Sequence, residues 1–236
     1  MVKGLDTFWK YFADYEEQYV LIGGAACDIL FESNEVNFRA TRDLDMVLIV
    51  EALTPEFGEK FWKFIVDGKY RNKATNGSNP QFYRFDKPEE DKFPKMIELF
   101  CRSDFELKSA EGITPIHIDD EVSSLSAILL NDDYYKAILN GKVIRNGLSV
   151  LRPEYIILFK AKAYLDLKSL KDLGEKVDSS DIKKHKKDIL RIASELMLEK
   201  VEGLPIAVGN DIHSFIDLLE QEPFDQNSLK RYGLKN

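Results

Sequence analysis

The stretches LIGGAACDIL (residues 21–30) and RATRDLDMVLIV (residues 39–50) decide how this chain folds. Residues 19–22, YVLI, are an apolar run of strand length, and Gly23-Gly24 break it. Residues 25–33, AACDILFES, read as a helix entered directly from the glycine turn. Residues 43–50, DLDMVLIV, are strand-like and nearly all apolar after Asp45. The two aspartates stand at i and i+2, so on a strand both carboxylates project from one face. Like charges held that close repel, and burying them at the head of an apolar run is costly unless something pairs with them. A divalent cation removes the conflict, because Mg²⁺ takes a couple of carboxylates together with water and substrate phosphates. The glycine pair supplies a complementary half. Backbone N–H groups and the positive end of a helix dipole meet there, and glycine lets a bulky anion approach closely. A triphosphate resting on Gly23 and Gly24 would bridge to metal on Asp43 and Asp45, the geometry of metal-assisted displacement at phosphorus.

A third carboxylate completes such a site, and Glu98 is the candidate. In KMIELF (95–100) it shares a strand face with Met96 and Phe100, an ion among apolar neighbours. Buried, unpaired glutamate is rare. The plainer alternative is an edge residue that reaches solvent or pairs with Lys95 or Arg102.

Outward from this centre, the elements follow from spacing. Leu5, Phe8, Trp9 and Phe12 recur at the period of an amphipathic helix. Thr54 and Pro55 read as N-cap and N1 of a helix running to about residue 66. Residues 69–80 are a turn-rich loop. Residues 81–85 and 95–101 read as strands joined by the charged loop DKPEEDKFP. ITPIHI (113–118) and SLSAILL (124–130) also have strand character. KVIRNGLSVL (142–151) reads as a hairpin turning on Asn146-Gly147. After residue 152 the pattern becomes helical, in three segments: 154–170, 181–199 and 211–220. The expected domains are therefore 1–152, mixed α/β, and 153–236, helical.

Composition bounds the function. With 236 residues and 44% apolar content the chain can bury a real core. No apolar run reaches bilayer length, and MVKGLDTFWKYFADYEEQ has no signal-peptide core, so a cytoplasmic, membrane-free protein is expected. Cys27 and Cys101 sit in apolar stretches without metal-ligand spacing and read as a reduced pair. His117, His185 and His213 share no spacing that would link them as ligands. The net charge of −8 argues against broad, charge-driven wrapping of nucleic acid. A local basic surface remains in DIKKHKKDILR (181–191), whose ordinary reading is a solvated helix face.

The order strand, Gly-Gly, helix, short loop, Arg39-x-Thr41-x-Asp43-x-Asp45, strand resembles the nucleotidyltransferases of the DNA polymerase β-like superfamily. The closer likeness is to the AbiEii/AbiGii toxin-type branch, through IGGAA, RATRDLD and the later IEL. PEYIILFKAKAYLD and KHKKDILRIASEL are similar to that branch's helices, matching Lys160 and Lys187-Asp188. The likeness spans about residues 19–200, and the first block is its specific part. Two departures stand out. Ala25 follows Gly24 where the superfamily carries a phosphate-contacting serine, and the third acid is Glu98 in place of the commoner aspartate.

The resemblance implies an α+β fold: a small mixed β-sheet nucleotidyltransferase core flanked by helices, then a C-terminal helical domain. It implies transfer of a nucleoside monophosphate from an NTP such as ATP to an acceptor hydroxyl, with pyrophosphate released and Mg²⁺ or Mn²⁺ as cofactor. Asp43, Asp45 and Glu98 would be the catalytic and metal-binding acids, with Glu98 alternatively a general base. Gly23 and Gly24 would cradle phosphate. Arg39 or Thr41 would orient the aspartates or touch phosphate, and Lys160 would neutralise phosphate charge. For Lys160 the ordinary alternative is a salt-bridged helix lysine. Three functions follow as expectations. The first is a toxin-like enzyme that modifies RNA such as tRNA, or protein, with a possible antitoxin partner and the basic helix docking the acceptor. The second is an aminoglycoside-like, small-molecule nucleotidyltransferase. The third is a degenerate module that binds nucleotide without chemistry.

Overall fold

The computed structural model describes residues 2–32, 38, 41, 43–71, 82–100 and 131–221. The strand expectations at 113–118 and 124–130, and Cys101, fall outside these residues. Helix α1 (Leu5–Phe12) leads to strand β1 (Tyr19–Leu21), helix α2 (Gly23–Glu32) and strand β2 (Asp43–Leu48). A 3-10 turn over Val50–Ala52 precedes helix α3 (Pro55–Asp67). Strands β3 (Phe82–Asp86) and β4 (Met96–Phe100) come next. Then come helix α4 (Asp132–Gly141), strands β5 (Lys142–Arg145) and β6 (Leu148–Leu151), and helices α5 (Pro153–Asp172), α6 (Ser179–Glu195) and α7 (Ile206–Glu220). This is the expected mixed α/β architecture: a six-stranded mixed sheet with flanking helices, followed by helices.

Local chemistry explains the boundaries. Thr54 caps α3, its Oγ1 accepting from the Phe57 N–H at 3.3 Å, with Pro55 at the first helical position. Such a cap contributes about 1 kcal/mol. Asn146 and Gly147 both have positive φ, 52° and 71°, and join β5 to β6 in the turn that suits a two-residue hairpin. The second strand stops at Leu48, two residues before its apolar run ends, because Val50–Ala52 coil into the 3-10 turn. Helix α4 was not expected from the sequence. Its first turn is held by Asn131, whose Oδ1 accepts from the Asp133 N–H at 2.9 Å.

The sheet order is β3-β4-β2-β1-β6-β5. β2 runs parallel to β4 and antiparallel to β1, and β1 runs parallel to β6. One face of the sheet carries Leu44, Met46, Ile97 and Leu99, all buried. Aromatic rings of α1 and α3 cover that face. Phe8 meets Tyr19 edge-on with centroids 5.5 Å apart, and Phe61 and Trp62 both meet Phe85. Phe12, Phe57 and Phe64 extend the cluster between the two helices. Such edge-to-face pairs contribute about 0.5–1.5 kcal/mol each beyond area burial. Cys27 is a buried cysteine of α2.

The chain forms two compact units. One holds α1–α3 and the whole sheet. The second holds α4 together with α5–α7, so the β5–β6 hairpin interrupts it in sequence. In the helical unit, Ala161, Tyr164, Ile189 and Phe215 form a core of their own. Tyr134 of α4 packs edge-on against Phe159 and donates to Asp211 at 2.8 Å. Among the described residues no helix is long and apolar enough to cross a membrane.

Candidate active site

The face of β2 and β4 opposite the aromatic core carries the acids. Asp43 and Asp45 are both half-buried and separated by buried Leu44, as strand alternation requires. β4 is the immediate parallel neighbour of β2, and Asp45 stands directly opposite Glu98. Paired strands lie about 4.8 Å apart, so these two carboxylates share one row of the sheet. Asp43 stands one step along, opposite Met96, and has no hydrogen-bond or ion-pair partner among the described residues. The three expected acids thus share one face of two adjacent central strands.

On the other side of β2, the Ile22 N–H donates to the Asp45 carbonyl at 2.9 Å. This bond fixes the next residue, Gly23, beside the Asp45 side chain. Gly23 has φ +61°, and a Cβ there would fall 2.1 Å from Asp45 Oδ2. A Cβ on Gly24 would fall 2.7 Å from Thr41 Oγ1 and Cγ2. The glycine pair is therefore packed tightly against the expected site: Asp45 against Gly23, Thr41 against Gly24. Helix α2 begins at this point, so its positive end faces the Asp45 carboxylate. The six residues Gly23, Gly24, Thr41, Asp43, Asp45 and Glu98 lie in the sheet unit, close to one another in the fold.

Two side chains behave differently from a free binding site. Glu98 is not solvent-edged, nor is it paired with Lys95. It is paired with Arg84 of β3, the residue directly opposite it in the antiparallel register. Arg84 donates to Glu98 Oε1 from Nε at 2.9 Å and from Nη2 at 2.5 Å. The row across three strands therefore reads Arg84, Glu98, Asp45. Sequence reasoning missed Arg84 and also Asp86, which stands in the next row opposite Met96. Alternation along 82–86 puts these two on one face, but their partners depend on a pairing register that the sequence leaves open.

Lys160 lies in the helical unit, where its Nζ donates to Asp188 Oδ2 at 2.7 Å. The pair is shielded, with side chains 9% and 3% exposed. Two of the three residues matched by likeness to the toxin-type helices, Lys160 and Asp188, thus meet each other, and the Lys160 charge is held by a carboxylate. Lys183, Lys184 and Lys187 lie on the exposed side of α6. Arg39 lies outside the described residues.

Asp43 and Asp45 offer the oxygen donors that a hard cation such as Mg²⁺ takes. Among the described residues, however, no three His, Cys, Asp or Glu side chains converge closely enough to hold one. A small cavity in the sheet unit, about 180 Å³, is lined by Leu5, Trp9, Ile29 and Leu148 among others and by none of the expected site residues.

No protein-family model matches the chain, and no curated protein matches it. Among solved structures it is similar to an antigenic nucleotidyltransferase-like protein from Paracoccidioides brasiliensis. The identity is 15% and the TM-score 0.44, over 98% of this chain and 93% of that one. At that level the roles of the side chains rest on this chain's own geometry.

Proposed function

We propose that this chain is a metal-dependent nucleotidyltransferase that moves a nucleoside monophosphate from an NTP to an acceptor hydroxyl. The observation that carries the reading is the apposition of Asp45 and Gly23. A carboxylate for the metal lies against the glycine turn and helix start where a polyphosphate would rest. In the reaction the acceptor oxygen bonds to the α-phosphorus, the bond from that phosphorus to the bridging oxygen breaks, and pyrophosphate leaves with that oxygen. Bound Mg²⁺ or Mn²⁺ supplies charge neutralisation on the phosphates and a lowered pKa for the attacking hydroxyl. Asp43 and Asp45 hold it, Gly23 and Gly24 present backbone to phosphate, and Glu98 stands beside Asp45 where the hydroxyl proton can go.

An anionic acceptor such as tRNA fits the exposed lysines of α6, and the toxin-like setting with an antitoxin partner belongs to the same reading. A protein acceptor is the alternative within it. One observation favours a second reading, a nucleotide-binding module without transfer: the third acid is already engaged by Arg84.

The test is direct. The protein is incubated with Mg²⁺ or Mn²⁺ and each labelled NTP, against total RNA, a protein extract and aminoglycosides. Label entering RNA or protein, and lost in the Asp43→Asn/Asp45→Asn double variant, is the expected result. Transfer that persists in the double variant removes this site from the reaction. Nucleotide binding without transfer supports the second reading, and label on the drug moves the acceptor to small molecules.

A further inference from the structure

The small cavity of the sheet unit lies between α1, α2 and the β5–β6 turn. Its buried wall is apolar: Leu5 of α1, Ile29 of α2 and Leu148 of β6. Its exposed rim carries Trp9, Asn146 and two acids, Asp6 and Glu32. Neither acid has a hydrogen-bond or ion-pair partner among the described residues, and the Trp9 indole has no ring or cation contact among them. Glu32 is the last residue of α2, where a carboxylate adds to the negative end of the helix dipole instead of offsetting it. Helix chemistry therefore gives that acid no local reason. Trp9 is seated on the hairpin turn. A Cβ on Gly147 would fall 2.4 Å from its Nε1, so the missing side chain there admits the indole. The ring stays 42% exposed on the same rim as the two acids.

Two carboxylates, a helix C-terminus and an aromatic ring favour the same guest, a positive charge. The apolar wall favours a hydrocarbon stem behind that charge. A bare metal ion fits less well, because it takes several convergent oxygens and the rim offers two exposed acids. The volume, about 180 Å³, is a little above the roughly 150 Å³ that admits benzene, so the stem is short. We infer that this cavity binds a small organic cation, a guanidinium or primary ammonium on a short aliphatic stem. Its charge lies at Asp6, Glu32 and Trp9, and its stem lies on Leu5, Ile29 and Leu148. The site is separate from the acid pair of β2. Gly23 and Glu32 are the two ends of α2, about 14 Å of helix apart, and the inference holds whether or not the chain transfers nucleotides.

The experiment titrates n-butylguanidinium into the full, nitrogen-15-labelled chain and reads the indole N–H resonances of its two tryptophans. Trp62, buried against Phe85, is the internal control. A saturable shift of the Trp9 resonance with Trp62 unmoved is expected. n-Butylurea has the same shape without the charge, and should bind at least about 5-fold more weakly. Asp6→Asn/Glu32→Gln removes two partly screened ion pairs with the ligand and should weaken the cation about 5–20-fold. Glu56→Gln/Glu59→Gln removes the same number of charges from exposed positions of α3 and should leave binding nearly unchanged. That control separates the cavity from general attraction to a chain of net charge −8. All four substituted side chains are exposed, so both double variants are expected to fold. Absence of a saturable Trp9 shift overturns the inference, as does equal affinity for butylurea. An Asp6/Glu32 variant that binds like the parent, or no worse than the Glu56/Glu59 variant, overturns it as well.

Discussion

The carboxylate of Asp45 occupies the space that a side chain at position 23 would need, with Oδ2 2.1 Å from an ideal Cβ on Gly23. Gly23→Ala therefore meets two penalties. Its φ of +61° is strained for any residue with a Cβ, and the Asp45 carboxylate must turn away. The expected cost is about 1–3 kcal/mol in urea unfolding, with weakened Mn²⁺ binding alongside it. Gly58 is the control. It lies inside α3 with open space around it, so Gly58→Ala should stabilise by about 0.5–1 kcal/mol and leave Mn²⁺ binding alone. Equal outcomes for the two variants would show that the apposition at position 23 has no energetic weight.

Lys160 is predicted to hold the helical unit together. Lys160→Met takes the ammonium away from the buried Asp188 carboxylate and should cost about 3–5 kcal/mol, measured by denaturant unfolding. Lys160→Met with Asp188→Leu should recover most of that loss, because the buried carboxylate is then removed together with its ammonium. Lys162→Ala breaks only a partly exposed pair with Asp166 and should change stability by about 0.5 kcal/mol or less. A stable Lys160→Met protein would show that the pair with Asp188 does not matter to the fold.

The exposed lysines of α6 give a salt-dependent prediction. Lys183, Lys184 and Lys187, all replaced by alanine, should leave folding nearly unchanged. If they contact RNA phosphates, the slope of log affinity against log salt should fall by roughly 2–3. An unchanged slope would take the acceptor away from this helix.

Tyr11 gives an alkaline signature. Burial pushes its hydroxyl from 10.0 up to about 12, and the hydrogen bond to Asp67 and the Asp67 charge push the same way. The unfolded chain loses this proton near pH 10 while the folded chain keeps it. The stabilisation is therefore complete below pH 10 and is lost as pH rises toward about 12. Tyr11→Phe should flatten unfolding stability over that window, and a tyrosinate absorbance titration should lose one late-titrating group. On the same contact, Asp67 is held below the usual carboxylate range, first by the hydrogen bond from Lys63 and then by that from Tyr11. Its contribution is present above the ordinary carboxylate pKa and fades as pH falls through the lowered one.

Much of this architecture can be read from local chemistry. Thr54-Pro55, Asn146-Gly147 and Gly23-Gly24 each dictate a backbone conformation within two or three residues, and each element begins or turns where they stand. The i, i+2 spacing of Asp43 and Asp45 likewise fixes their common face. What the sequence withheld is long-range. Arg84 finds Glu98 only through the register of β3 on β4, and Lys160 finds Asp188 across 28 residues and two helices. Helix α4 escaped notice because Asn131 follows an apolar run of strand character and the helix itself spans only ten residues. The α6 lysines were legible as a basic run, but the burial of Lys186 within it was not.

The interruption of the helical unit by the β5–β6 hairpin also bears on how the chain can be made and dissected. As the polypeptide leaves the ribosome, α4 emerges ahead of Phe159 and Asp211, against which Tyr134 finally rests. It must wait through the synthesis of β5, β6 and most of the C-terminal helices before its apolar side is covered. A fragment ending at residue 152 would keep Tyr134 and Ile138 but none of α5–α7, and such a truncation is expected to aggregate even though its sheet is whole.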